Sequence, residues 1–431
     1  MFRKILLFLL FAGTAAAAQQ PGSAAPPGES SVNARLLTLE DVVREVQLRN
    51  PALTSAQRAV EARKLAVGVA GALPDPTVTL AYMGSAWPFK TMENDPSSYR
   101  GVSAMQMLPL GGKRELRREM ARKEVNASEA DQLAVARRLT AEAKAAYYDY
   151  FYYDKALSIT AANKARLQQL ADISEARYRV GKAMQADVLR ANLELTMLLQ
   201  REVTLQQQRE IAAAKLNTLM GRQPDVPLSP PAAIGREALP ALAALTPVAE
   251  ANDPMLKKEQ SMIARNQMAI AMAQKEYTPD LSVGYMYQQR TGNPDMYGMQ
   301  FTVNVPVFYR SKQRQAMEQA KLDLASSEQS REARKLELAY ELKQSHAMAV
   351  NAEKMLDLYD KAILPQAELA LQSAQSSYSV GTSDFLTVIT NFTTIHGYQL
   401  DYYRQLADYQ TALARIEALT GDLNQVSKET K

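Results

Sequence analysis

The sequence predicts a mainly helical protein with a small β part, in which one series of elements occurs twice. Three observations support this fold class. Tyr-x-Val-Gly occurs at residues 178–181 and again 200 positions later, at 378–381. Two segments, at about 76–110 and 280–309, each contain two runs that alternate apolar and polar residues, the period of β-strands. No proline occurs from residue 110 to residue 223, which favours long helices. An internal two-fold sequence repeat therefore sets the expected architecture.

The composition excludes several classes of function. Lys and Arg number 50 against 46 Asp and Glu, a balance that does not favour nucleic acid as a partner. The absence of cysteine excludes disulfides, thiolate metal sites, a cysteine nucleophile and a lipidated cysteine. The two histidines, His346 and His396, have no ligand partners at metal spacing. We expect no enzyme activity, no cofactor and no resident metal.

The first 18 residues are typical of a secretory signal peptide. Arg3 and Lys4 precede an apolar run at 5–11, and small residues at 15–18 offer a cleavage site before Gln19. The apolar run is too short for a membrane anchor helix. Nor does the rest of the chain contain the ~20 continuous apolar residues of a transmembrane helix, so any membrane insertion is expected to use strands.

The first structural repeat is predicted at residues 38–223, after an N-terminal extension at 19–37. A helix should begin at Thr38, followed by a β-hairpin at about 76–110. A helix from there to the turn at about 178–187 would extend ~100 Å, because each residue adds 1.5 Å. A rod of that length fits coiled-coil walls better than a buried core helix. A return helix completes the repeat.

The second structural repeat is predicted at residues 249–421. A proline-rich connector at 224–248 separates it from the first. Its β-hairpin is expected at about 280–309 and its turn at about 378–387, and residues 422–431 form a C-terminal tail.

The predicted strands have the length and one-sided pattern of strands that span lipid. Four strands cannot close a barrel, and open edges inside lipid would leave backbone groups unsatisfied. A homotrimer would supply twelve strands, enough for a 12-stranded transmembrane barrel with a wide lumen. The alternative from the pattern alone is a soluble protein with two helix-covered hairpins.

The chain resembles the TolC-type outer-membrane efflux proteins, the exit ducts of tripartite exporters, over nearly its whole mature length. The motifs that carry the resemblance are the opening from Leu39-Glu40-Asp41 to Asn50-Pro51, the run at 108–114, the turns at 178–181 and 378–381, and the endings at Gly221 and Gly421. The runs at 109–114, 364–368 and 384–386 are most similar to the heavy-metal branch of the family, which serves cobalt-zinc-cadmium and copper-silver exporters.

The resemblance implies a homotrimer with a β-barrel in the lipid of the outer membrane and a helical coiled-coil tunnel across the periplasm. It also implies two partners, a periplasmic adaptor and an inner-membrane pump, expected to be proton-driven. The adaptor would dock on the two turns. The implied docking residues are Tyr178, Arg179, Val180, Gly181, Lys182, Tyr378, Val380, Gly381 and Thr382.

Four polar residues past the turns are candidates for the closing aperture. Asp187 and Asp384 could form carboxylate rings in a trimer, or they could cap the helices that follow. Some relatives carry aperture carboxylates where this chain has Thr387 and Thr390.

The function implied is passive export, with heavy-metal cations as the expected cargo. A duct for organic drugs of the same family is one alternative. A periplasmic coiled-coil adaptor or scaffold is another, but it would lack two copies of the amphipathic strand pair.

Six methionines lie near the predicted strands, which invites a soft-metal interpretation. Because they are scattered along the sequence, apolar packing is the simpler explanation. They are Met83, Met105, Met107, Met286, Met296 and Met299.

Overall fold

The computed structural model describes residues 36–84, 91–93 and 95–421. The predicted signal peptide, all but the end of the predicted N-terminal extension, and the predicted C-terminal tail lie outside the described residues.

The elements follow one another in the same order in the two halves of the chain. The first half contains α1 (Leu39–Arg49), α2 (Pro51–Ala70), β1 (Thr77–Met83), β2 (Tyr99–Leu108), α3 (Lys113–Arg179) and α4 (Gln185–Leu219). The second half contains α5 (Leu242–Asn252), α6 (Pro254–Lys275), β3 (Asp280–Gln289), β4 (Met296–Asn304), α7 (Gln313–Leu358), a π-helical turn (Tyr359–Ile363), α8 (Leu364–Val380) and α9 (Phe385–Thr420).

The four strands form one antiparallel sheet in the order β1-β2-β3-β4. The two hairpins join through β2 and β3, where Met105 lies opposite Gly284 and Leu108 opposite Leu281. The pairing between hairpins therefore connects the two halves of the chain, and β1 and β4 are the edge strands of the described sheet.

Side-chain caps set where the shorter helices begin. Thr38 Oγ1 accepts a hydrogen bond from the Asp41 amide at 3.2 Å at the start of α1. The Asn50 and Asp253 side chains do the same at the starts of α2 and α6, each directly before a proline. Proline suits the first position of a helix because an N–H group there has no intrahelical acceptor, so its absence costs no hydrogen bond.

The long helices lie side by side in a layer. Helix α3 has 67 residues and is therefore ~100 Å long. Next to the sheet it packs between α2 and α6, and α6 packs against α7. Towards the turns it packs between α4 and α9, and α9 packs against α7 and α8. Helices α2 and α4 thus lie at one edge of the layer, and α7 and α8 at the other.

Tyrosines attach the connector to the middle of the layer. Tyr147 Oη donates to Ala232 O at 3.3 Å, Tyr150 Oη to Ser229 O at 3.2 Å and Tyr409 Oη to Glu237 O at 2.6 Å. All three rings are buried, and burial raises the pKa of Tyr147 to about 12. These aromatics pack inside the helical layer. Among the described helices, none has a stretch that is long and apolar enough to cross a membrane.

Candidate functional site

The first reversal of the chain lies between α3 and α4. Gly181 has a φ of 72°, a left-handed conformation that glycine adopts without strain. The Lys182 amide donates to Arg177 O at 2.8 Å, which closes the end of α3. Tyr178 is 44% exposed and Val180 67% exposed. The first turn therefore presents an aromatic, an aliphatic and a basic side chain to solvent.

The second reversal, between α8 and α9, uses the same backbone geometry. Gly381 has a φ of 82°, and the Thr382 amide donates to Ser377 O at 3.0 Å. Val380 is 74% exposed. Eight of the nine predicted docking residues are exposed, namely Tyr178, Arg179, Val180, Gly181, Lys182, Val380, Gly381 and Thr382.

Tyr378 is the exception among the predicted docking residues. Its side chain is only 8% exposed, and its ring centroid lies 5.3 Å from that of Phe385. The equivalent tyrosine of the first half, Tyr178, is 44% exposed. Tyr378 therefore belongs to the packing behind the second turn rather than to its surface.

Arg177 joins the two turns. Its Nη1 donates to Tyr378 O at 2.7 Å and to Ser379 O at 3.1 Å, where the last carbonyls of α8 carry partial negative charge. Its guanidinium also lies 4.6 Å from the centre of the Tyr378 ring, within range of a cation–π contact. The sequence interpretation missed this residue. One signal in the sequence could have singled it out: the two halves differ here, with Arg177 in the first and Ser377 at the equivalent position, 200 residues later, in the second.

Of the four aperture candidates, Asp187 and Asp384 act as helix caps in the structure. Asp384 Oδ1 accepts from the Thr387 amide at 3.0 Å, and hydrogen bonds from the Thr387 hydroxyl and amide lower the pKa of Asp384. Asp187 Oδ2 accepts from the Met184 amide at 3.2 Å. The Thr390 hydroxyl donates to a carbonyl of its own helix. Asp384 thus caps the start of α9 and stays exposed at the turn.

The boundary between sheet and helices contains a buried lysine. Lys113 is 1% exposed, and its Nζ donates to Thr278 O at 2.8 Å and to Asp280 Oδ1 at 2.9 Å. The neighbouring Arg114 donates to Gly71 O through Nε at 3.1 Å and Nη2 at 2.9 Å. Two consecutive residues thus tie the start of α3 to the base of β3 and to the end of α2.

The sheet has two chemically different faces. The apolar face consists of Val78, Leu80, Tyr82, Val102, Ala104, Leu108, Leu281, Val283, Tyr285, Tyr287, Tyr297, Met299, Phe301 and Val303, together with Arg100, Gln106 and Gln289. The polar face consists of Thr77, Thr79, Ala81, Met83, Tyr99, Gly101, Ser103, Met105, Met107, Asp280, Ser282, Gly284, Met286, Gln288, Met296, Gly298, Gln300, Thr302 and Asn304.

The apolar face is the more exposed of the two. Leu80 is 82% exposed and Phe301 64%, whereas Ser282 on the polar face is 5% exposed. A water-soluble sheet would bury its apolar face, and exposed apolar patches of this kind mark contact with another apolar phase.

The histidines have structural contacts. His396 Nε2 lies 3.2 Å from Thr160 Oγ1, and His346 Nε2 lies 3.2 Å from Pro240 O. Within the described part of the chain, no three His, Cys, Asp or Glu side chains gather in a way that could hold a metal ion.

Comparison with known proteins identifies relatives of the whole fold. A family model described as outer membrane efflux protein matches residues 42–222 and 245–422. No curated protein sequence is significantly similar to the chain. Among solved structures, the outer-membrane channel OprN is 18% identical, with a TM-score of 0.76 over 89% of this chain and 90% of that one. The CusC transmembrane channel is 15% identical, with a TM-score of 0.76 over 89% and 92%. The MtrE outer-membrane channel of Neisseria gonorrhoeae, in its open state, is 17% identical, with a TM-score of 0.73 over 89% of each chain.

Proposed function

The chain belongs to the outer membrane efflux protein family, and we propose that it is the exit duct of a tripartite efflux system, passing heavy-metal cations to the outside. It is located in the outer membrane and extends into the periplasm. The duct binds and releases its cargo without transforming it, and the energy comes from an inner-membrane pump that is proton-driven.

The observation that carries the proposal is the exposed apolar face of a sheet whose two edges are open. Lipid covers such a face, but lipid cannot satisfy the backbone groups of β1 and β4. Pairing β4 of one chain with β1 of the next satisfies them, and three chains close a 12-stranded barrel. The polar face then lines the lumen.

The helical layer supports the same assembly, since its edge helices expose apolar residues. Helix α2 exposes Leu65 and Val69, and α4 exposes Leu189, Leu193, Met197, Val203 and Ile211. On the opposite edge, α7 and α8 expose Leu322, Leu336, Tyr340 and Leu369. One edge of each chain can therefore pack against the other edge of its neighbour, a head-to-tail contact that closes into a ring.

The turns supply the docking surface for a periplasmic adaptor. The exposed side chains of Tyr178, Arg179, Val180, Lys182, Val380 and Thr382 make the contact, with Gly181 and Gly381 shaping the backbone. Tyr378 supports the second turn from behind. Asp187, Asp384, Thr387 and Thr390 lie just past the turns, where a trimer brings three copies around its axis and narrows the pore.

The choice of heavy-metal cargo rests on the runs at 109–114, 364–368 and 384–386. The test is deletion of the gene, followed by growth on cobalt, zinc, cadmium, copper, silver, dyes and antibiotics. We expect sensitivity confined to metals and restored by the intact gene. Sensitivity to organic compounds alone would assign the duct to drug export instead.

The assembly is tested separately on the purified protein. It should fractionate with outer membranes and run as a trimer in detergent. A monomer that stays soluble without detergent would contradict the duct.

A further inference from the structure

Five of the six methionines near the strands lie on the polar face of the sheet. Strand register places them at successive levels from the base of the sheet to its rim. Met107 lies opposite Ser282, Met105 opposite Gly284, Met286 opposite Ser103, Met296 opposite Gln288 and Met83 opposite Tyr99. Five successive levels, all above the basal level of Asp280 and Asn304, thus carry one thioether each, although the five residues come from all four strands.

Packing alone does not account for this distribution. On the polar face the only large aliphatic side chains are methionines, whereas the apolar face uses valine, leucine and phenylalanine and a single methionine, Met299. A demand for apolar volume would be met equally well by leucine or valine. What distinguishes methionine is its soft, polarizable sulfur.

Glycines on the neighbouring strands leave room for two of these side chains. A Cβ atom on Gly298 would lie 2.9 Å from Met286 Cε, and one on Gly284 would lie 3.6 Å from Met105 Cε. The Met286 side chain therefore extends from β3 over Gly298 of β4, and the Met105 side chain extends from β2 over Gly284 of β3. Their levels are adjacent, because Met105 is opposite Gly284, two residues before Met286.

The rest of the polar face offers a soft cation little competition. The described strands place no Lys, Arg or Glu on it, and its single carboxylate, Asp280 at the base, accepts a hydrogen bond from Lys113. Its other polar groups are neutral amides and hydroxyls, whose hard oxygen atoms are weaker ligands for a soft cation than a thioether is.

We propose that the methionines of the polar face form a ladder of weak, exchangeable sites for soft monovalent cations, Cu(I) or Ag(I). This inference rests on the proposed duct, because the sites can act on the cargo only where the polar face lines the lumen. Levels follow one another about every 7 Å, two residues of strand apart. A flexible thioether bridges part of that distance, and a trimer places three copies at every level. Weak, repeated sites let a cation enter and leave, as conduction requires.

The test is a titration of the detergent-solubilised full-length protein with Ag(I), observed by NMR of protein labelled at the methionine methyl groups. Variants Met105→Leu, Met286→Leu and Met299→Leu assign the three signals. We expect Ag(I) to shift the Met105 and Met286 methyl signals, and to leave that of Met299, on the opposite face, unchanged. Equal shifts for all three, or none, would overturn the ladder.

A second measurement does not depend on NMR. The double variant Met105→Leu, Met286→Leu removes two of the five polar-face thioethers and should bind less Ag(I) than the wild-type protein in equilibrium dialysis, whereas Met299→Leu should bind as much as the wild type. Equal binding by the two variants would contradict the proposal. The oligomeric state of the same samples tests the duct separately. A trimer that does not bind Ag(I) would contradict the methionine ladder and leave the proposed duct intact.

Discussion

Lys113 places a buried cation where the sheet meets the helices. Its partner Asp280 is 23% exposed, so loss of the ammonium would leave a half-buried carboxylate and the Thr278 carbonyl without their donor. We expect Lys113→Met to destabilise the folded protein by about 2 kcal/mol and to lower its melting temperature in detergent. Lys275→Met, an exposed lysine at the end of α6, is the matched control. Equal melting temperatures for the two variants would show that the buried contact contributes nothing.

His396 makes stability depend on pH. Burial lowers the pKa of its imidazole below the ordinary value of 6.5, so the unfolded chain binds a proton more readily than the folded one. Stability is therefore complete above pH ~6.5 and falls as the pH drops towards the folded pKa. We expect His396→Gln to reduce the loss of thermal stability between pH 7.5 and 5.5. His346→Gln should lose as much stability as the wild type. A variant His396→Gln with unchanged acid sensitivity would assign that sensitivity to other groups.

At the scale of elements, Arg177 links the end of α3 to the end of α8. Its removal should loosen the second turn, because two carbonyls of α8 lose a charged donor and the Tyr378 ring loses its cation. We expect Arg177→Gln to speed hydrogen exchange of the amides at 377–384 several-fold. Arg179→Gln, which removes only an exposed pair with Glu175, should leave exchange there unchanged. Exchange as slow in Arg177→Gln as in the wild type would mean that the turn is held by its own helix caps.

The sequence predicted the elements better than the contacts between them. Glycine at 181 and 381 and the alternation of strand residues act locally, so a linear pattern is enough to find them. Tyr178 and Tyr378 look equivalent in the repeat, yet one is exposed and the other buried. That difference arises because Arg177 and Phe385 pack around only one of them. The methionine levels were missed for a related reason, since they depend on the register of four strands, and Met83 and Met296 lie more than 200 residues apart.

At the scale of the whole molecule, the exposed apolar residues of α4 are expected to be covered by the next chain. Val203 is 67% exposed, and a carboxylate at that position would have to be desolvated on assembly. We expect Val203→Glu to shift the detergent-solubilised protein from trimer towards monomer in size-exclusion chromatography with light scattering. Arg201→Glu, also exposed and about 160° around the same helix from Val203, should remain trimeric. If both variants stay trimeric, this stripe of α4 is not the interface.

The open edges at β1 and β4 also have a genetic consequence. In a ring closed by three chains, every chain completes the sheet of both neighbours. One defective chain therefore inactivates a trimer that also contains two wild-type chains. A strain that makes equal amounts of wild-type and assembly-competent but blocked chains would retain only roughly an eighth of its rings intact. Such alleles should be dominant, whereas alleles that prevent assembly should be recessive.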